Sequence, residues 1–165
     1  VSLLHGDLSE GQMRALYGHD KIKAMINISH GEGFGLPLFE AARSCLPIIS
    51  IGWSGQMDFL SDNGKDMFLK VKHELGPVQQ QAIWDGVIQA DSQWAYADQG
   101  SFKMAMRQMF KKHDEFISQA EQLQNHVDVN FRDEVLFERF CDLVSPDDTI
   151  SDDEIEALFA SLAED

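Results

Sequence analysis

The stretch HGEGFGLPLFEAARSC, residues 30–45, joins a predicted strand to a predicted helix through a glycine-rich turn. The preceding run KAMINIS (23–29) predicts a buried strand, and LPLFEAARSC (36–45) predicts a helix with Pro37 in its first turn. A helix N-terminus presents unpaired N–H groups, its dipole favours an anion, and glycines let a ligand approach the backbone closely. The pattern therefore predicts a phosphate site at this turn.

Two carboxylates flank the turn, Glu32 within it and Glu40 in the following helix. Neither can bind a phosphate, but a carboxylate can accept two O–H bonds from a vicinal diol, each worth about 1.5–3 kcal/mol where water is excluded. An anion site flanked by two diol sites describes a nucleotide sugar. Two alternatives stay open from the residues alone: a purely structural turn, and a glycosidase carboxylate pair in which the glycines have no obvious role.

Other phosphate and metal motifs are absent from the sequence. GEGFGL fails the dinucleotide fingerprint at Leu36, and no P-loop, H-E-x-x-H, nucleophile elbow or Cys/His metal set occurs. Cys45 and Cys141 are far apart and are expected to be reduced thiols. The sequence therefore contains no recognised dinucleotide, P-loop or Cys/His metal motif.

Short apolar runs alternate with helical patterns along the first half of the chain. Strands are predicted at 1–4, 23–29, 47–51 and 67–71, and helices at 9–20, 36–45 and 54–60, the first capped by Ser9. This rhythm predicts an α/β fold with a parallel sheet flanked by helices. Residues 73–100, rich in Gly, Pro and aromatic residues, are expected to form a long ordered loop.

The second half predicts helices. One long helix is expected at 101–124 and another at 131–144. The core stripe of the long helix is predicted to be Phe102, Met106, Met109, Phe116, Ala120 and Leu123, and its solvated face Lys103, Arg107 and Lys111.

The formal net charge of −15 argues against nucleic acid as a partner, and no apolar run is long enough for a transmembrane segment. Eight acidic residues from Asp147 onward account for more than half of that charge. Within this tail, Ser151 and Glu154 predict a capping box for an amphipathic helix at 151–163. That helix either docks on its own domain or binds a protein partner. The expected location is cytoplasmic, with a peripheral membrane position open to the full-length protein.

The run EGFGLPLFEA, residues 32–41, resembles the signature of the retaining family 4 glycosyltransferases, two glutamates separated by seven residues in the same frame. Three flanking segments are similar to the family as well. They are LLHGDLSEGQMRALYGHD (3–20); SGQMDFLSDNG (54–64), with Ser54 for a glycine and Asp58 for a glutamate; and WAYAD (94–98), with Ala97 where proline is common. The resemblance covers about residues 1–125.

The resemblance implies the donor-binding C-terminal half of a GT-B glycosyltransferase, with a Rossmann-like parallel sheet and C-terminal helices. Residues 1–145 would be the nucleotide-sugar-binding domain and 146–165 an acidic tail. It implies that Glu40 holds the ribose hydroxyls and that Glu32, by the donor sugar, is the catalytic position. The sugar and diphosphate would face the backbone of Gly33, Phe34, Gly35 and Leu36. Leu8 would contact the base. Because the family needs no metal, the resemblance implies neither a cofactor nor a metal.

The chain departs from the family in the cations that stabilise the departing diphosphate. The resemblance places an Arg and a Lys, and beyond them an acceptor-binding domain, upstream of Val1. We therefore expect this chain alone to bind donor without complete turnover, and a sheet edge to need covering. Arg43 and Lys65 are expected to be solvated. The alternative function is a noncatalytic nucleotide- or sugar-binding module whose acidic C-terminal helix recruits a protein.

Overall fold

A computed structural model describes residues 3–144, which form an α/β structure. The chain divides into two compact units, Val1–Val129 and Asn130–Asp165. The proposed boundary between residues 145 and 146 stays a prediction. The predicted acidic helix at 151–163 lies outside the described residues.

The described residues contain seven short strands: β1 (Met25–Asn27), β2 (Ile48–Ile51), β3 (Ser61–Asp62), β4 (Lys65–Asp66), β5 (Leu69–Val71), β6 (His73–Pro77) and β7 (Gln93–Ala97). The main sheet has the order β1-β2-β5, and both of its pairings are parallel, so three of the predicted strands are confirmed. The pairs β3–β4 and β6–β7 are antiparallel.

Within residues 3–144 there are also six α-helices: α1 (Glu10–Tyr17), α2 (Leu36–Arg43), α3 (Met57–Leu60), α4 (Gln99–Lys111), α5 (His113–Asn130) and α6 (Asp133–Val144). The capping prediction is confirmed, because the Ser9 side chain accepts from the Gln12 N–H while the Gln12 side chain accepts from the Ser9 N–H. Pro37 lies in the first turn of α2, where its missing N–H costs nothing. Helix α6 confirms the predicted helix at 131–144 and belongs to the second unit.

The core of the first unit is centred on β2, all four residues of which are buried. Ile49 and Ile51 pack in one cluster with Ala105 and Met109 of α4. Successive strand residues point to opposite faces, so Ile48 and Ser50 face the other side of the sheet. Burial on both faces explains why this strand reads as a continuous apolar run.

The predicted strand at residues 1–4 is wrong at its described positions. Leu3 and Leu4 form no strand and are 90% and 66% exposed. A strand needs a neighbour to satisfy its backbone groups, and among the described residues no strand pairs with them. The apolar character of these residues therefore does not indicate a strand. Strand β1, for its part, is an edge of the main sheet, and its Ile26 is partly exposed.

The predicted loop at 73–100 contains a hairpin instead. Strands β6 and β7 pair from His73 opposite Ala97 to Pro77 opposite Gln93. Gly76 and Pro77 suggest a break in the sequence, but Pro77 ends its strand and Gly76 leaves room for the Tyr96 ring. Residues 78–92, with a single 3-10 turn at Gln80–Ala82, connect the two strands.

The predicted long helix at 101–124 is two helices, separated at Lys112, where the backbone leaves helical geometry. The His113 ring contacts the Lys23 carbonyl at 2.9 Å, a tertiary interaction that the periodicity could not predict. Of the predicted stripe, Met109, Ala120 and Leu123 are buried, whereas Met106 is 42% exposed and Ala105 is buried in its place. The predicted solvated face is confirmed, since Lys103, Arg107 and Lys111 are exposed.

Candidate functional site

The glycine-rich turn lies between the carboxyl end of β1 and the first turn of α2. Gly35 is the N-cap of α2, is buried, and has a φ of 90°. This left-handed conformation suits glycine, and a Cβ at this position would also lie 3.1 Å from the Gln56 Cβ. The backbone conformation at position 35 therefore requires glycine. Gly33, by contrast, is exposed and has open space around it.

A second turn, Ser54–Gly55, packs directly against the glycine-rich turn. The Gly55 N–H donates to the Glu32 carbonyl at 3.1 Å, and a Cβ on Gly55 would lie 1.9 Å from the Gly33 oxygen. The Ser54 hydroxyl donates to the same Glu32 carbonyl at 2.7 Å. The conformation of the site thus depends on two residues after β2, which the sequence analysis did not connect with it.

Backbone amides at this turn are available to a ligand. The N–H groups of Leu38 and Phe39 bond to the Gly35 carbonyl, as in an ordinary first turn. The N–H groups of residues 33–36 donate no hydrogen bond to another described residue. Together with the dipole of α2 they form a positive backbone surface that suits an anion.

The side chains of Phe34 and Leu36 have different surroundings. The Phe34 ring packs 5.1 Å from the rings of both Phe39 and Phe59, so it supports the turn, although 39% of the residue is exposed. Leu36 is 59% exposed at the first position of α2. A ligand at the turn would meet the backbone of Phe34 while its ring anchors the turn to the core.

Glu32 is held at the carboxyl end of β1 by two neighbours. Its Oε1 accepts from the Asn27 amide at 2.7 Å and from the Ser29 hydroxyl at 2.8 Å. Asn27 also accepts the Ser29 N–H at 2.8 Å, which closes the turn that follows β1. Both recorded hydrogen bonds use the same carboxylate oxygen, so the carboxylate is oriented in advance of any ligand.

Glu40 has a different environment, on α2 facing α1. Its Oε2 accepts from the Tyr17 hydroxyl at 3.3 Å. Burial raises the pKa of Tyr17 above its ordinary value, and the nearby Glu40 carboxylate raises it further, both by charge repulsion and by accepting this hydrogen bond. Tyr17 therefore stays a hydrogen-bond donor to Glu40 throughout the neutral range.

A cavity of about 550 Å³ opens beside this pair. Helix α1 and the segment before it contribute Leu8, Glu10, Met13, Arg14 and Tyr17. Helix α2 contributes Glu40 and Arg43, and Ser44 follows them. The structure thus brings Leu8 and Glu40 together in one cavity, whereas Glu32 and residues 33–36 are not part of its described lining.

Three charged residues of this lining were not expected there. Arg43 lines the cavity and forms a 3.7 Å ion pair with Asp128, while its side chain stays 65% exposed, in agreement with the predicted solvated or helix-surface position. Glu10 and Arg14 lie on the cavity side of α1, one turn apart. Helical spacing places positions 10, 13, 14 and 17 on one face of a helix, but it does not show that this face lines a cavity with α2.

An aromatic group borders the turn on the hairpin side. The His30 ring stacks on Trp94 at 4.6 Å, and its Nδ1 donates to the Ala95 carbonyl at 2.8 Å. The Ala95 N–H in turn donates to the His30 carbonyl at 3.2 Å. Within WAYAD, Trp94 thus anchors the hairpin to the turn, and Asp98 caps α4 by accepting the Ser101 N–H.

Within residues 3–144 no group of three or more His, Cys, Asp or Glu side chains could hold a metal ion. In the same range no helix has the length and apolar character needed to cross a membrane. Both cysteines are free thiols. Comparison of the chain with protein-family models, with curated proteins and with solved structures gives no match.

Proposed function

We propose that this chain is the donor-binding part of a retaining glycosyltransferase, built on a Rossmann-like sheet, and that its ligand is a nucleotide-diphosphate sugar. The observation that carries the proposal is the shared cavity of Leu8 and Glu40 beside helix α2. The two residues that the family resemblance assigns to base and ribose are 32 positions apart in the chain, so their meeting was not implied by sequence proximity.

The nucleotide would run from this cavity toward the N-terminus of α2. Glu40 would accept two hydrogen bonds from the ribose diol, oriented by the hydroxyl of Tyr17. The diphosphate would then meet the unpaired N–H groups of residues 33–36, where the helix dipole favours its charge. Both glutamates stay clear of the phosphates in this arrangement.

The donor sugar would lie near Glu32, beyond the diphosphate. The carboxylate of Glu32 is already oriented by Asn27 and Ser29, so it can accept hydrogen bonds from the sugar without further ordering. In the transfer, the bond between the sugar and the diphosphate breaks, the diphosphate keeps the electron pair, and an acceptor hydroxyl bonds to the same face of the sugar.

A calorimetric titration tests the proposal. The chain is titrated with UDP, GDP and ADP and with one sugar conjugate of each, alongside Glu40→Ala. The matched control is Glu115→Ala, an exposed glutamate on α5 that does not line the cavity. We expect a nucleoside diphosphate to bind, with about tenfold or greater loss of affinity in Glu40→Ala and none in the control. Absence of binding to a folded chain, or equal binding in both variants, would contradict the proposal.

A further inference from the structure

The face of α1 that lines the cavity carries one acidic and one basic side chain. Neither forms a hydrogen bond or an ion pair with a core residue in the described part of the chain. The side chains of Glu10 and Arg14 are 91% and 79% exposed, and their recorded contact is with each other, at 3.4 Å. An exposed ion pair at this spacing contributes little to stability. Its two partners can therefore exchange their mutual contact for a ligand at small cost.

The placement of the nucleotide decides what this face would contact, and this step rests on the proposed function. With the ribose at Glu40 and the diphosphate toward the N-terminus of α2, the base is directed to the remaining wall of the cavity. That wall consists of Leu8 and Met13, which can pack on the flat base, and of Glu10 and Arg14, which can reach its polar edge.

We propose that Glu10 and Arg14 select the base of the donor nucleotide and that this base is guanine. A guanidinium can donate two parallel hydrogen bonds to the O6 and N7 of guanine, and a carboxylate can accept from its adjacent N1–H and N2–H. Guanine therefore offers two bonds to each partner, side by side. Uracil has one ring N–H between two carbonyls, and adenine has an amino group but no ring N–H on this edge, so neither satisfies both partners fully.

Glu10 and Arg14 would have separable effects. Inosine diphosphate lacks only the N2 amino group of GDP, so it removes one bond to Glu10 and leaves the contacts of Arg14 unchanged. Arg14 would distinguish purines with an O6 from those without it. The third cation near the cavity, Arg43, is paired with Asp128 and stands on the opposite wall. Arg43 is therefore not needed for base selection.

The test is calorimetric titration of the full chain with GDP, IDP, UDP and ADP. We expect GDP to bind about tenfold or more tightly than UDP or ADP, with IDP between them. Arg14→Ala should reduce the preference for GDP over UDP several-fold and leave only the part that Glu10 contributes. Glu10→Ala, which removes the acceptor, should abolish the difference between GDP and IDP. Arg107→Ala, an exposed arginine on α4 outside the cavity, is the matched control and should change nothing.

The outcomes separate this inference from the proposed function. Equal affinity for all four nucleotides, together with a loss in Glu40→Ala, would overturn guanine selection and leave donor binding intact. A preference for UDP or ADP, or a GDP preference that is undiminished in Arg14→Ala, would also overturn it. Failure of every nucleotide to bind a folded chain would overturn the proposed function, and base selection with it.

Discussion

The hydroxyl of Ser54 bonds to both backbone groups of Glu32. It donates to the Glu32 carbonyl at 2.7 Å and accepts from the Glu32 N–H at 3.3 Å. Ser54 itself has a φ of 75°, a left-handed conformation that costs a non-glycine residue about 1–3 kcal/mol. The two hydrogen bonds offset the strain that the serine introduces.

Removing the Ser54 hydroxyl should therefore separate strain from hydrogen bonding. Ser54→Ala keeps the left-handed backbone and loses both hydrogen bonds, so we expect the free energy of unfolding to fall by about 1–2 kcal/mol. Ser54→Gly loses the same bonds but relieves the strain, and should be about 1 kcal/mol more stable than the alanine variant. Urea denaturation measures both. An alanine variant as stable as the original chain would contradict this account.

Gly55 should tolerate no side chain. A Cβ there would lie 1.9 Å from the Gly33 oxygen, so Gly55→Ala must displace the backbone of the glycine-rich turn. We expect a loss of about 2–3 kcal/mol in the free energy of unfolding, from overpacking at a site where backbone has to move. The measurement is again urea denaturation, followed by nucleotide titration at a temperature where the variant is folded.

Gly11→Ala is the matched control for that substitution. Gly11 lies in α1, and a Cβ there has open space within 4 Å. Alanine favours a helix over glycine by about 0.5–1 kcal/mol, so this variant should be slightly stabilised. If both glycine variants lost the same stability, the contact between Gly55 and Gly33 would not be the cause.

The parts of the fold that the sequence predicted are those specified by neighbouring residues. The strands β1, β2 and β5 and the helices between them follow from local periodicity, and the cap at Ser9 follows from one residue and its third neighbour. The hairpin β6–β7 was missed because its pairing joins residues separated by a long connection, and because Gly76 and Pro77 resemble a turn. Leu3 and Leu4 show the converse, since apolar character alone does not supply a partner strand.

The candidate site likewise has parts that the sequence could predict and parts that it could not. The glycine turn and its two glutamates are adjacent in the sequence, so their placement at the end of β1 and on α2 could be predicted. The contact of Ser54 with Glu32 spans 22 positions, and that of Tyr17 with Glu40 spans 23. Such contacts depend on how strands and helices pack, which periodicity does not specify. The charged wall of α1 required both its helical face and the neighbouring helix to be known.

Tyr17 should make the stability of the first unit depend on alkaline pH. Because burial and the Glu40 carboxylate raise the pKa of Tyr17, the unfolded chain loses this proton first, at its ordinary value near 10. Below that pH both states keep the proton and the stabilisation is complete; it is lost as the pH rises toward the folded pKa. We expect the stability difference between the original chain and Tyr17→Phe to shrink above about pH 10. A difference that stays constant between about pH 8 and pH 11 in urea denaturation would contradict the raised pKa.

Glu32 should affect the sugar-bearing donor and not the free nucleotide, given the proposed function. Glu32→Gln retains an oxygen that can accept from Asn27 or Ser29, so the turn should keep its structure while the charge is removed. We expect this variant to bind the free nucleoside diphosphate within about twofold of the original affinity, and to bind the sugar conjugate about tenfold or more weakly.

Glu32→Ala should show the same ligand pattern with an added stability loss of about 1–3 kcal/mol, because the polar groups around Glu32 lose their acceptor. Titration of both variants with free nucleotide and conjugate, next to Glu40→Ala, decides the matter. Equal losses for both ligands in all three variants would show that the two carboxylates do not divide the ligand between them.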